Sequence, residues 1–257
     1  MDSITVLGTY GGRGKNKSTT SFHISESIII DAGNVIHPLG QEAKKIDYIF
    51  LTHCHLDHII DIPFLIDAFF STRVTPLHIY ALPETIAALK KYILNWDIWP
   101  DFNEIELLNN QNKSLLLHAI EIGKEYHVEG VIIKPFPTNH TVASCGYVVT
   151  KNGKKAMITA DTYVCDAVWE ELNRDNGIKT LVIEVSFPSR FDKLAQVSKH
   201  LTPKLLAQEL TKLRRNDVTI YINHMKPDFV PVIAREIEEY GLGKRVQLLD
   251  DGYVITL

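Results

Sequence analysis

The chain is predicted to be an α/β protein of four layers, two β-sheets packed together with helices on the outside. Two observations lead there: strand-like and helix-like segments recur in both halves, and no low-complexity block or Pro/Gly/Ser linker divides the 257 residues. Residues 1–257 are therefore taken as one domain. In order, "ITVLGTY", "TTSFHIS", "SIIIDAG" and "YIFLTH" are rich in β-branched residues and separated by Gly, Asn or charged breaks, as short strands are. The period then changes. "IIDIPFLIDAFF" and "PETIAALKKYILN" read as helices, the second opening with Pro83 in its first turn and Glu84 beside it. "GYVVT" and "KKAMITA" flank Asn152-Gly153, a hairpin-turn signal. "TYVCDAVWEELNRDN" is a helix ending at Gly177. The strand "TLVIEVSF", a helix from Pro203 to about Arg215, the strand "VTIYINH", a helix over about 230–240 and the strand "YVITL" complete the chain.

Composition narrows the function class. A hydrophobic content of 45% and a charged content of 23% suit an ordinary globular core. The net charge of -4 argues against a broad nucleic-acid footprint, while leaving small anionic substrates open. Cys54, Cys145 and Cys165 form no CxxC pair, so neither a disulfide framework nor a cysteine zinc knuckle is expected. The start carries no signal-peptide pattern, and the apolar run near 59–70 is interrupted by Asp61 and Asp67. The expectation is a cytoplasmic protein that does not enter a membrane.

The segment "LTHCHLDHIIDIP", Leu51 to Pro63, concentrates three histidines and an aspartate between a strand and a helix. Residues two apart on an extended segment share a side, so His53 and His55 can present two imidazoles to one metal ion. Asp57 and His58 follow as the chain turns and can serve a second. Two ions need further ligands, and His140, Asp161 and His224 each lie where a strand meets a loop.

The series "THCHLDH", "TNH", "TADT" and "INH", preceded by "IIIDAG", resembles the metallo-β-lactamase superfamily over nearly the whole chain. The resemblance implies an αββα sandwich. It implies one ion held by His53, His55 and His140, a second by Asp57, His58 and His224, and Asp161 bridging them. Asp31 would orient the metal loop rather than bind metal. Histidine at 55 favours hydrolysis with two divalent ions, zinc first and manganese or iron as alternatives. Asp61 follows "DHII" where many members carry glycine.

A phosphodiester also needs its leaving alkoxide protonated. His200 in "SKHLTP" is a candidate acid and Glu184 in "LVIEVSF" a candidate orienting partner. Against these stand blander readings: Thr202-Pro203 is itself a good helix start, and a strand-end glutamate can simply be exposed. "IEVSFP" and "HLTP" are similar to the class II cyclic-nucleotide phosphodiesterases, which implies His200 as general acid with Glu184 as its support. Asp57 is counted with them among the catalytic residues. Related tRNA 3′-processing endonucleases carry a long arm between the positions of His140 and Asp161, where this chain has one hairpin. The expected substrate is thus a small cyclic nucleotide, cyclic AMP or cyclic GMP, rather than extended nucleic acid. The alternatives are an endonuclease-like phosphodiesterase, a thioester or lactam hydrolase, or a metal-stabilised interaction protein. A homodimer is left open. Trp96 and Trp99 could supply a stacking ring or anchor the core.

Overall fold

A computed structural model describes residues 2–257. Its strands in chain order are β1 (Ser3–Gly8), β2 (Ser21–Ser25), β3 (Ile28–Ile30), β4 (Tyr48–Phe50), β5 (Leu77–Ala81), β6 (Leu115–Ala119) and β7 (Tyr126–Val128). They continue with β8 (Val131–Pro137), β9 (Cys145–Lys151), β10 (Lys154–Ile158), β11 (Ile178–Glu184), β12 (Thr219–Asn223), β13 (Val246–Leu248) and β14 (Val254–Thr256). The helices are α1 (Ile36–Leu39), α2 (Leu56–Ile59), α3 (Asp61–Phe69), α4 (Pro83–Tyr92), α5 (Asp166–Arg174), α6 (Asp192–Ser198), α7 (Pro203–Glu209) and α8 (Val230–Glu239).

Two seven-stranded sheets form, ordered β14-β1-β2-β3-β4-β5-β6 and β13-β12-β11-β10-β9-β8-β7. Alternation along each strand divides its side chains between two layers. In β11, Val182 faces the space between the sheets while Leu181 and Ile183 face the helices. Three apolar cores result, one per layer boundary. Ile4, Phe22, Phe50, Tyr147 and Ile158 fill the space between the sheets. Ile62, Leu65 and Ile66 of α3 pack on Ile29, Ile49 and Ile79 of the first sheet. Trp169 of α5, Leu206 of α7 and Ile233 of α8 cover the second. This is the expected four-layer αββα sandwich.

The elements differ from expectation in places with physical causes. The apolar run after His58 is divided: α2 ends at Ile59 and α3 begins at Asp61, because Pro63 has no N–H to offer the Ile59 carbonyl. The helix from Pro203 stops at Glu209 and continues as a single 3₁₀ turn to Lys212. Strand β8, which His140 follows, accommodates Pro135 and Pro137 where β7 has ended and only β9 pairs with it. The hairpin at Asn152-Gly153 forms as expected, with φ of 49° and 78° at its two turn residues. Among the described residues no helix is long and apolar enough to cross a membrane.

Candidate metal centre

In the first sheet β3, β4, β5 and β6 run parallel, and in the second β10, β11, β12 and β13 do. Parallel strands deliver their carboxyl ends to one edge, where polar residues can gather without being buried between sheets. Asp31 lies just beyond β3, and His53, His55, Asp57 and His58 lie beyond β4. From the second sheet, His140 follows β8, Asp161 follows β10, Glu184 ends β11 and His224 follows β12. Four non-glycine residues at this edge take left-handed backbone: Asp31 (φ 58°), Ala160 (57°), Lys199 (58°) and His224 (60°). Such strain persists only where the surroundings over-determine it, and here it turns side chains inward.

The structure brings all seven candidate ligands together. His53, His55, His140 and Asp161 present ligand atoms within 4.8 Å of one another, and Asp57, His58 and His224 form a second such group. Asp161 lies between them: its Oδ2 is 3.6 Å from His53 Nε2 and 3.8 Å from His140 Nε2. Its Oδ1 is 3.2 Å from His224 Nε2. Asp57 Oδ2 stands 3.3 Å from the same His224 Nε2. Cys54 is half-buried and belongs to neither group.

The outer hydrogen bonds show that this cluster suits cations. His58 donates its Nδ1–H to Asp31 Oδ2 at 2.7 Å, and His140 donates its own to the Lys199 carbonyl at 3.1 Å. Thr52 gives its hydroxyl proton to Asp31, so its oxygen accepts from His53 Nδ1 at 3.0 Å. Ser186 likewise donates to Glu184 and accepts from His224 Nδ1 at 3.0 Å. Four Nε2 lone pairs are thereby aimed at the Asp161 carboxylate, itself an acceptor. His53 Nε2 and Asp161 Oδ1 are buried without a hydrogen-bond partner. Acceptors facing acceptors in a buried site are stabilised by positive charge between them. Divalent metal binding therefore fits the donor set. Burial, aided by the neighbouring imidazoles, pushes the His53 pKa well down and keeps its ring a neutral donor. Burial likewise lowers His140. Burial opposes charge on His58, but Asp161 and Asp31 outweigh it and raise its pKa well above the usual imidazole value, so positive charge, a proton or a metal ion, is drawn between these groups.

Glycine is required where the metal loop meets its neighbours. A Cβ at Gly33 would stand 2.0 Å from the Asp57 carbonyl oxygen and 2.7 Å from that of Thr20. Asp31, at the start of this loop, accepts from Thr52 N and Thr52 Oγ1 at 2.8 Å each, in addition to His58.

Beside the candidate ligands lies a buried histidine–glutamate pair. His200 donates Nδ1–H to Glu184 Oε1 at 2.7 Å, and Glu184 is fully buried rather than an exposed strand end. The same carboxylate accepts from Thr162 N at 3.0 Å and from Ser186 Oγ at 2.8 Å. Burial works against charging His200, but Glu184 prevails and raises its pKa above the usual imidazole value. The helix-start reading holds as well, because Thr202 Oγ1 accepts from Leu205 N at 3.3 Å. Ser186 was missed in the sequence, although its place two residues after Glu184 on the same strand end was a usable signal. Its hydroxyl joins Glu184, His200 and His224. Trp99 packs edge-on against Phe64 at 5.3 Å, whereas Trp96 is largely exposed.

Comparisons with known proteins agree with this geometry. A beta-lactamase superfamily domain model matches residues 27–225, more than half of the chain. A probable 3′,5′-cyclic-nucleotide phosphodiesterase of Yersinia pestis is 24% identical over 211 residues, covering 72% of this chain and 59% of the relative. A ribonuclease Z of Methanosarcina acetivorans is 29% identical over 176 residues, covering 64% of this chain and 53% of the relative. The chain thus spans between half and three fifths of these two relatives. The crystal structure of unliganded yeast PDE1 superposes with a TM-score of 0.83 at 19% identity, over 99% of both chains. Matched over most of its length and folded as two sheets between helix layers, the chain belongs to the beta-lactamase superfamily and has the metallo-β-lactamase fold.

Proposed function

We propose that the protein is a metal-dependent phosphodiesterase that opens a 3′,5′-cyclic nucleotide, cyclic AMP or cyclic GMP, to the 5′-monophosphate. The observation that carries this reading is the buried Glu184–His200 pair at 2.7 Å, set against the ligand cluster, with His200, Asp161 and His224 grouped within 4.8 Å. His53, His55, His140 and Asp161 would hold one ion, and Asp57, His58, His224 and Asp161 the other. A donor set dominated by imidazole suits zinc, with manganese and iron as alternatives. When bound, such ions supply Lewis-acid activation of the phosphoryl group and of the attacking water. The residues of the chain do the remainder. Glu184 fixes the His200 ring through Nδ1, leaving Nε2 to the substrate. His200 Nε2–H then protonates the 3′ oxygen as its bond to phosphorus breaks and water's oxygen bonds to phosphorus; one water proton stays on the phosphate and the other leaves to solvent, from which His200 is reprotonated. Ser186 couples the acid to His224, so ligand and proton donor keep one relative position.

The β9–β10 hairpin supports a small substrate. Its turn lies at the end of β10 opposite Asp161, and its lysines are engaged within the protein. Lys151 donates to the Ile24 carbonyl at 2.9 Å, Lys155 pairs with Asp175 at 2.6 Å, and Lys154 lies 3.6 Å from Asp2. A turn so occupied offers little to a phosphate backbone. The relatives named ribonuclease Z make a tRNA precursor the substrate to test against. Metal-loaded protein incubated with cyclic AMP, cyclic GMP and a short tRNA precursor, with His200→Ala as control, is expected to cleave a cyclic nucleotide. Cleavage of the precursor alone would overturn the substrate assignment.

A further inference from the structure

Asp61 follows the candidate ligand loop and joins three segments of the chain. Its Oδ2 accepts from Val35 N at 2.7 Å and Ile36 N at 3.2 Å, which ties the carboxylate to the start of α1. Its other oxygen, so fixed, lies 3.6 Å from Arg13 Nη2, which also donates to the Gly33 carbonyl at 3.2 Å. The Arg13 side chain is 60% exposed, while that of Asp61 is 13% exposed. A surface arginine is thereby held in one place.

That place is the rim of a cavity of about 400 Å³ lined by Gly11, Arg13, Thr19, Leu56, Asp57 and Ile60. The cavity adjoins the metal cluster. Asp57 belongs to both, and a Cβ at Gly11 would come within 2.7 Å of the His224 ring. Leu56 and Ile60 provide aliphatic walls against which a flat ring can lie. Arg13 carries the cavity's cationic donors: one Nη2 N–H goes to the Gly33 carbonyl, and the remaining N–H groups of the guanidinium, which has no acceptor, are left for a ligand. Its charge is balanced by Asp61. An uncharged acceptor edge suits this balance better than a second phosphate does.

We propose that Arg13, positioned by Asp61, reads the nucleobase of the substrate and favours guanine over adenine. Guanine presents O6 and N7 as two adjacent acceptors to a guanidinium fork, whereas adenine places an amino donor where O6 would be. A matched pair of this kind selects its base by about tenfold or more. This rests on the phosphodiesterase reading, and its test is built to separate the two.

The full-length, metal-loaded protein is assayed for kcat/KM with cyclic GMP, cyclic AMP and the base-free diester bis(p-nitrophenyl) phosphate. Binding of 5′-GMP and 5′-AMP is measured in parallel by calorimetry. Wild-type protein is expected to prefer the guanine compound by about tenfold in both measurements. Arg13→Ala should bring both ratios close to one. Asp61→Asn, whose amide oxygen still accepts from Val35 and Ile36, should lower both ratios while retaining the thermal stability of the wild type. Hydrolysis of none of the three diesters refutes the phosphodiesterase reading alone, since the GMP and AMP affinities still decide the subsite. Equal affinities for GMP and AMP, or a preference unchanged in Arg13→Ala, overturn the base-reading role.

Discussion

The acid role proposed for His200 rests on two things that Glu184 does to it at once. The carboxylate takes Nδ1, which turns Nε2 outward, and it raises the imidazole pKa against the effect of burial. His200→Ala is expected to lower kcat by about 10²–10⁴-fold while metal content, measured by atomic emission, stays at the wild-type level. The pH profile carries the sign. On the proposed mechanism turnover needs protonated His200, so it should persist above the usual imidazole range and fall as pH rises through the raised pKa. Glu184→Gln removes the stabilising charge and should move that alkaline decline to lower pH; an unmoved limb would show that Glu184 does not tune the acid. At Gly33 the constraint is steric. Gly33→Ala forces a methyl group against the Asp57 carbonyl and should destabilise the protein by about 1–3 kcal/mol, read as a lower Tm with weaker metal uptake.

At the scale of elements, the segment between β11 and α7, which includes α6, positions the proposed acid. α6 ends at Lys199 in left-handed backbone, which places the Lys199 carbonyl against His140 and starts His200 into the cleft. Two residues later Thr202 caps α7 and also donates to Asp192 Oδ1 at 3.0 Å, so α6, His200 and α7 are held as one piece. Thr202→Ala should reduce stability by about 1 kcal/mol in denaturant unfolding, with kcat falling and metal stoichiometry retained. An unchanged kcat would mean that the cap serves α7 alone. Strands with β-branched runs, such as "SIIIDAG" and "VTIYINH", and the Asn-Gly turn could be read locally because their signals lie within a few residues. β5, β6, β7 and β13 went unread. Neighbouring strands or packed helices rather than their own pattern make them strands.

Across the whole molecule, each half contributes an incomplete site. The first sheet supplies His53, His55, Asp57 and His58 with Asp31 behind them, and the second supplies His140, Asp161 and His224. Ions bound between them would link the two halves. Ligand present at about a hundred times its Kd adds about 2.7 kcal/mol to stability, so chelation should lower the Tm and abolish turnover together. Both should return on adding back the metal. Asp161→Ala, which leaves both groups without their shared carboxylate, should lose about two ions per chain by metal analysis. A chelated protein of unchanged Tm and activity would refute the metal centre as a whole.

The sequence by itself determined the layer arrangement, through strand and helix periods that are local, and the ligand types, through a density of histidine that neither core nor surface explains. It also marked Glu184 and His200 as a pair worth testing. Tertiary structure decided what depends on distance. It set Asp161 between the two groups, placed Ser186 at the junction of acid and ligand, and joined Asp61 to an arginine 48 positions earlier in the chain. Spacing in sequence says nothing about such meetings, because they occur where the carboxyl ends of strands from two separate sheets come to one edge.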